Sequence, residues 1–351
     1  MHGNWPLLLY FWGMKRTPSS RRAFLSGAAA SLAMPALAQT DPWAAAIARA
    51  GGFDQCHAMM LWQGGQQQLA VRFRGPGLLR AVAIKSVSKS VVAALLGTAL
   101  DRGETASIDA RLGDVATRLI PARADPRVAD ITMSDLVTMQ AGLERTSGAN
   151  YGEWVSSANW VANALSRPFV AQPGSGMQYS TGSFHILGAV LSEVTGQSLL
   201  SLSRERLGQP LGFEVPSWVR DPQGRYLGGN EMALTLDGMV RFGELYRRGG
   251  TVDGQQILSS DWVARSFEAK TRSVWSGLGY GYGWFLGRAA GVNYALARGY
   301  GGQIICVAPD LAVTMAISSD PTRPARSGGY FGDLQSLIEN DVLPVAQSQL
   351  G

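Results

Sequence analysis

The sequence predicts an α/β fold: an antiparallel sheet of about five strands built from both ends of the chain, flanked by helices, with a mainly helical region inserted between them. Three observations carry this. Strand-like runs at 56–63 and 68–74 flank Gly64-Gly65, residues suited to a tight hairpin turn. Near the other end, 294–298, 304–308 and 311–318 read as three strands, the last two joined by Pro309-Asp310. The sequence between these groups reads mostly as helix. A sheet subdomain is therefore expected from about 41–85 and 271–351, and a helical subdomain from about 86–270.

From the N-terminus, residues 1–38 read as an export leader. Ser20-Arg21-Arg22-Ala23-Phe24-Leu25-Ser26 is a twin-arginine pattern, an uncharged run rich in Ala, Leu and Gly follows, and Ala36-Leu37-Ala38 offers small residues for cleavage. The apolar run is shorter than the ~20 residues of a membrane span, and no cysteine follows the cleavage site for lipid attachment, so no stable membrane anchor is expected. Met14 is an alternative start to Met1, because the apolar residues of 6–12 precede the charged region instead of following it. The leader resembles substrates of the Tat machinery, which implies a periplasmic or secreted protein.

Composition narrows the function classes. With 351 residues, 46% hydrophobic and 16% charged, the chain can bury a sizeable core and is neither disordered nor fibrous. The formal charge of +5 belongs largely to the leader, which holds Lys15, Arg16, Arg21 and Arg22 and no acid; 27 basic and 26 acidic residues remain. Neither nucleic acid nor an anionic membrane is implied as a partner.

The mature chain opens with a short Ala-rich helix at 43–50. Thr132, with Asp135 three residues on and an apolar run following, has the arrangement of a helix N-cap. A last helix carries Phe331, Leu334, Leu337 and Ile338 on one face. Cys56 and Cys306 lie in apolar strand-like runs, where a buried free thiol is the commoner state than a disulfide.

Elimination bounds the chemistry. Only His57 and His185 follow the leader, so a histidine-rich metal site is not expected and a Ser-His-Asp triad has few candidates. His185, in the apolar stretch 184–188, reads as a structural histidine. No serine sits in a Gly-x-Ser-x-Gly elbow. No cofactor motif is present.

The informative segment is Ala83-Ile84-Lys85-Ser86-Val87-Ser88-Lys89-Ser90, which leads into the apolar run 91–100. Ser86 and Lys89 stand three apart, a spacing that puts both side chains on one helix face. The helix is apolar nearly all round, so its start should be buried, and burial lowers a lysine pKa. A neutral Lys89 could take the Ser86 proton. Ser86 also falls in the first turn, where backbone N–H groups lack intrahelical partners and can face a developing oxyanion.

With these residues in hand, the sequence resembles the serine β-lactamase and penicillin-recognising family, in its class C-like branch with esterases and 6-aminohexanoate-dimer hydrolases. Ser86-x-x-Lys89 matches the nucleophile motif, and Pro173-Gly174-Ser175-Gly176-Met177-Gln178-Tyr179-Ser180-Thr181 resembles the tyrosine segment. The resemblance implies that Tyr179 is the second acid/base, its phenolate favoured by Lys89. Ala297-Arg298-Gly299-Tyr300-Gly301-Gly302-Gln303 resembles the strand motif of nylon-oligomer hydrolases. It implies that the Tyr300 N–H is the second oxyanion donor, with Gly299 and Gly301 allowing substrate to approach. The segment 280–284 also resembles the family and is expected to be structural.

Two positions depart from the pattern. Ala297 stands where penicillin-recognising relatives carry a lysine, which lowers the expectation of penicillin turnover, and Thr181 where asparagine is usual, so that a side-chain amide that would contact acyl-amide substrates is missing. The resemblance therefore implies a β-lactamase-like fold and a serine hydrolase acting on a small-molecule ester or amide through a Ser86 acyl-enzyme, without cofactor or metal. β-Lactamase or D-Ala-D-Ala peptidase activity and a catalytically silent binding or sensing module remain the alternatives. Tyr151, Trp154 and Trp160 either line an apolar acyl pocket or pack helices together.

Overall fold

Eight antiparallel strands form one sheet in the computed structural model, which describes residues 41–350. The expected leader lies outside the described residues. After helix α1 (Ala44–Gly51), β1 (Cys56–Gln63) and β2 (Gln66–Arg72) form the expected hairpin. Six further strands follow the helical region: β3 (Thr271–Arg272), β4 (Gly279–Tyr280), β5 (Phe285–Ala289), β6 (Val292–Gly299), β7 (Gln303–Ala308) and β8 (Val313–Ser319). Their spatial order is β2-β1-β8-β7-β6-β5-β4-β3, so β1 pairs with the last strand, Met59 opposite Ile317.

The sheet is larger than the five strands expected. Those five are β1, β2, β6, β7 and β8, and β3 to β5 extend the far edge. β3 and β4 are two residues long, too short to show a period, and β5 is interrupted by Gly287 and Arg288.

Every residue of β7 and β8 is buried. Successive side chains point to opposite faces, so both faces of the sheet centre are covered. Helix α4 (Leu236–Arg247) lies on the face that presents Ile305, Val307 and Thr314. A Cβ on Gly243 would come 2.5 Å from Thr314 Cγ2, so glycine sets this close helix-to-sheet contact. Thr314 Oγ1 donates to Glu244 there at 2.6 Å. At the chain ends, α1 packs on α5 (Tyr330–Leu337).

Between β2 and β3 run α2 (Ser88–Asp101) and α3 (Thr181–Thr195), which pack on each other. Residues 88–99 of α2 are all buried, which explains why the helix is apolar all round instead of amphipathic. One continuous hydrophobic cluster joins this region to the sheet. Thr132 and Asp135 form a full capping box. Cys56 and Cys306 are free and buried, and burial pushes their thiols up to about 11 and about 12, which keeps them protonated. Among the described residues no single helix is long and apolar enough to cross a membrane.

The β6–β7 turn depends on Gly301, at φ +85°, where a Cβ would meet the Asp320 carbonyl oxygen at 2.3 Å. Gly254 has a similar φ of +80° but open space around it. Gly301→Ala should therefore destabilise by more than ~2 kcal/mol, against about 1 for Gly254→Ala, where only the left-handed backbone is penalised. Urea unfolding of both variants checks this; equal losses would show that the Asp320 contact relaxes freely.

Candidate active site

Ser86 occupies a single 3-10 turn, Lys85–Val87, directly ahead of α2. Lys85 enters that turn with φ +51°, a left-handed conformation that costs a non-glycine residue ~1–2 kcal/mol. Its Nζ donates to Glu231 at 2.8 Å, and Glu231 is itself left-handed at φ +62°. Around this pair the segment 229–232 is tied to the serine turn: the Ile84 N–H donates to Met232 O at 2.9 Å, and the Met232 N–H to Ser88 Oγ at 3.3 Å. On the opposite side stands the end of β6. A Cβ on Gly299 would lie 2.2 Å from the Ile84 carbonyl oxygen, so the sheet can approach the turn only through a glycine.

One helical turn beyond Ser86, Lys89 is 2% exposed. Its Nζ donates to Ser86 Oγ at 3.0 Å, to Gly229 O at 2.8 Å and to Thr181 Oγ1 at 3.3 Å. None of these acceptors is charged. Burial pushes the ammonium down to about 7, so an appreciable fraction of Lys89 is a free amine at neutral pH.

The Tyr179 ring centre lies 5.0 Å from Lys89 Nζ. Burial raises the phenol above its ordinary value, while the Ser86 hydroxyl and the Arg298 guanidinium pull it part of the way back. Burial thus favours the neutral phenol of Tyr179 over the phenolate that the resemblance implies. Thr181, the first residue of α3, also reaches Ser147, its Oγ1 at 3.1 Å and its N–H at 2.9 Å from Ser147 Oγ. It therefore fixes the third acceptor of Lys89.

These groups open into a cleft of about 740 Å³ between the end of β6 and the helical region, walled by Tyr151, Trp275, Phe285 and Phe331. Gly299 and Tyr300 line it, the latter 49% exposed. The backbone N–H of Ser86, in a first turn, has no intrahelical partner, and Tyr300 directly follows the last residue of β6. Gly301 lies outside the lining and serves the turn instead. Tyr151 accepts from Asn230 Nδ2 at 3.0 Å. Trp154 and Trp160 are buried behind it, packed on His185 with ring centres 5.7 and 5.6 Å away, and do not reach the cleft. His185 is fully buried, its Nε2 3.1 Å from Asp221, and its Nδ1 accepts from the Gly228 N–H at 3.3 Å. It thus supports the segment whose next carbonyl holds Lys89.

Several of these groups carry no sequence signal. The Gly229 carbonyl is backbone, and the Lys85–Glu231 pair spans 146 positions. Trp275 comes from the turn between β3 and β4 and Phe285 from the start of β5, edge elements that alternation could not reveal. Arg298 belongs to the segment 297–303, but only the fold shows that it lines the cleft. Among the described residues no group of three or more His, Cys, Asp or Glu side chains is placed to hold a metal ion.

Comparisons with known proteins agree with this architecture. The chain is 27% identical over 294 residues to penicillin-binding protein 4 of Amycolatopsis lactamdurans, covering 71% of this chain and 74% of that protein. Over 165 residues it is 34% identical to the esterase EstB of Burkholderia gladioli, covering 41% and 40% of the two chains. A Bacillus anthracis structure assigned as a 6-aminohexanoate-dimer hydrolase superposes with a TM-score of 0.70 at 18% identity, covering 84% of this chain and 80% of that one. A family VIII carboxylesterase does so with 0.67 at 16%, covering 88% and 97%. These two share the fold. The Beta-lactamase family model matches residues 80–334, a span that contains the Ser86 turn, Lys89, Tyr179 and the end of β6, and the chain therefore belongs to the beta-lactamase family of serine hydrolases.

Proposed function

We propose that this protein is an exported serine hydrolase that cleaves a small-molecule ester or amide through a Ser86 acyl-enzyme. The observation that carries the reading is the buried Lys89 Nζ 3.0 Å from Ser86 Oγ, with no carboxylate among its hydrogen-bond acceptors. A free amine there takes the Ser86 proton as Oγ attacks the carbonyl carbon. The oxyanion that forms faces the N–H groups of Ser86 and Tyr300. As the carbon–leaving-group bond breaks, Tyr179 gives its phenolic proton to the departing oxygen or nitrogen and regains one from the Lys89 ammonium. Water then attacks the acyl-enzyme, its proton passing by way of Tyr179 to Lys89, and Ser86 is restored as the acid departs.

The apolar cleft walls and the likeness to the esterase EstB favour esters and short amides. Ala297, standing where penicillin-recognising relatives carry a lysine, argues against β-lactams as the preferred substrates. Export rests on the twin-arginine leader.

A fluorophosphonate probe should label Ser86, identified by peptide mass, and Ser86→Ala should lose at least ~10³-fold in kcat/KM toward p-nitrophenyl esters while remaining folded. Retained turnover in that variant would remove Ser86 as the nucleophile.

Because the amine is the active form, kcat/KM should rise with pH along a limb centred near 7. The same shift has a stability consequence. The folded value lies below the ordinary 10.5, so between about 7 and 10.5 the unfolded chain holds a proton that the folded chain does not. Stability rises with pH across that window, and the burial penalty is full below it. Lys89→Met should accordingly be inactive yet raise Tm at pH 7 by ~2–5 °C, with a gain that shrinks toward pH 10. A lower Tm at pH 7 would contradict the burial argument.

For export, Arg21→Lys together with Arg22→Lys should leave the protein in the cytoplasmic fraction of a Tat-competent host. Periplasmic delivery of the double variant would exclude that route.

A further inference from the structure

Three arginines are buried in the described residues: Arg167, Arg206 and Arg298. Arg167 pairs with Glu144 at 2.7 Å, and Arg206 holds Glu104 with two bonds of 2.7 Å. This is how a chain ordinarily meets the cost of taking a permanent charge out of water. Arg298 departs from the pattern. It is nine-tenths buried, and no carboxylate lies within 4.0 Å of it among the described residues. Its guanidinium contacts two aromatic rings, 5.1 Å from the Phe285 centre and 4.0 Å from the Phe331 centre, and donates to Ser327 Oγ at 3.3 Å. A guanidinium has five N–H donors, so most remain for another partner.

Arg298 is also the buried arginine that lines the Ser86 cleft. The charged groups of that lining are Lys85, Arg298, Arg326 and Glu231, and the one carboxylate is committed to Lys85. An aromatic-braced guanidinium presents its N–H edge in a fixed plane, the geometry that meets a carboxylate with two parallel hydrogen bonds. Burial pulls its pKa down to about 10, still far above neutrality, so the charge persists.

We infer that Arg298 binds a carboxylate of the substrate, so that the ester or amide cleaved at Ser86 carries a free acid group. This rests on the serine hydrolase reading above and specifies its substrate class. The missing third partner of the buried arginines is then supplied by the substrate.

Matched esters that differ only in acid against primary amide test the inference. One pair places the group on the acyl side, 4-nitrophenyl hemiglutarate against the corresponding glutaramate ester. The other places it on the leaving group, 4-carboxyphenyl butyrate against 4-carbamoylphenyl butyrate. In the wild type at least one acid should exceed its amide by about tenfold or more in kcat/KM, chiefly through KM. Arg298→Gln should bring that ratio to within about twofold of unity, and Arg298→Lys should restore part of it. Acid and amide cleaved alike in both pairs would overturn the inference, as would a preference that survives in Arg298→Gln; a merely structural arginine would lower both members of a pair together.

Should Arg298→Gln fail to fold, inhibition of the wild type decides. Glutarate or 4-hydroxybenzoate should compete with a neutral ester where glutaramide and 4-hydroxybenzamide do not, and equal inhibition by acids and amides would overturn it. Turnover of the neutral esters without any acid preference removes this inference alone. No turnover of any ester and no labelling of Ser86 removes the hydrolase reading and this inference with it.

Discussion

An amine with nowhere to put a positive charge is the constraint on which this molecule is built. Lys89 is enclosed at the start of a helix that is buried along its length, and its three acceptors are neutral oxygens from three separate parts of the chain. Each acceptor needs its own support. Thr181 is fixed by Ser147, and the Gly229 carbonyl follows a residue held by the buried His185–Asp221 pair. Ser86 is held by the Lys85–Glu231 ion pair across two left-handed residues. Local strain is confined to the turn that carries the reacting hydroxyl and is offset by contacts made elsewhere, as is common at functional sites.

The sheet serves a different purpose. Its centre is buried on both faces and pinned end to end by the pairing of β1 with β8, so the end of β6 is one of its rigid points. That end meets the serine turn backbone to backbone at Gly299, where nothing larger than hydrogen fits. Two N–H groups on separate elements, one on the turn and one beyond β6, can hold a constant separation only if the elements cannot slide. Close packing at Gly299, Gly301 and Gly243 supplies that rigidity.

What the sequence revealed follows from where information resides in a chain. The hairpin, the three long C-terminal strands and the Ser86–Lys89 spacing are local patterns, and each is present in the structure. The apolar run after Lys89 correctly marked a buried lysine, because a charge cannot be solvated at the head of such a helix. Strands of two residues left no period to detect, and so three of eight strands went unseen. The state of Tyr179 was also out of reach: the phenolate expected from a neighbouring lysine presumes a charged lysine, and burial disfavours the charged forms of both groups. Trp154 and Trp160 share a segment with Tyr151, yet only the fold separates the residue that faces the cleft from the two packed on His185.

The division between base and cleft wall also bears on why one fold accommodates penicillin-binding proteins, esterases and amide hydrolases. The lysine, tyrosine and serine sit at the junction of α2, α3 and β6, where nearly every neighbour is fixed by packing or by a backbone hydrogen bond. The cleft walls come from elsewhere: Trp275 and Phe285 from the short edge strands and their turn, Ser327 and Phe331 from the stretch that leads into α5. Those segments lie outside the three elements that enclose the buried amine. Chemistry and selection are thus placed on parts of the chain with different tolerance for substitution. Arg298 bridges the two, since its backbone belongs to β6 while its guanidinium is braced by Phe285 and Phe331 from the cleft walls. A charge held in that way can be re-aimed by changing either ring, which makes the aromatic pair as much a determinant of what enters the cleft as the arginine itself.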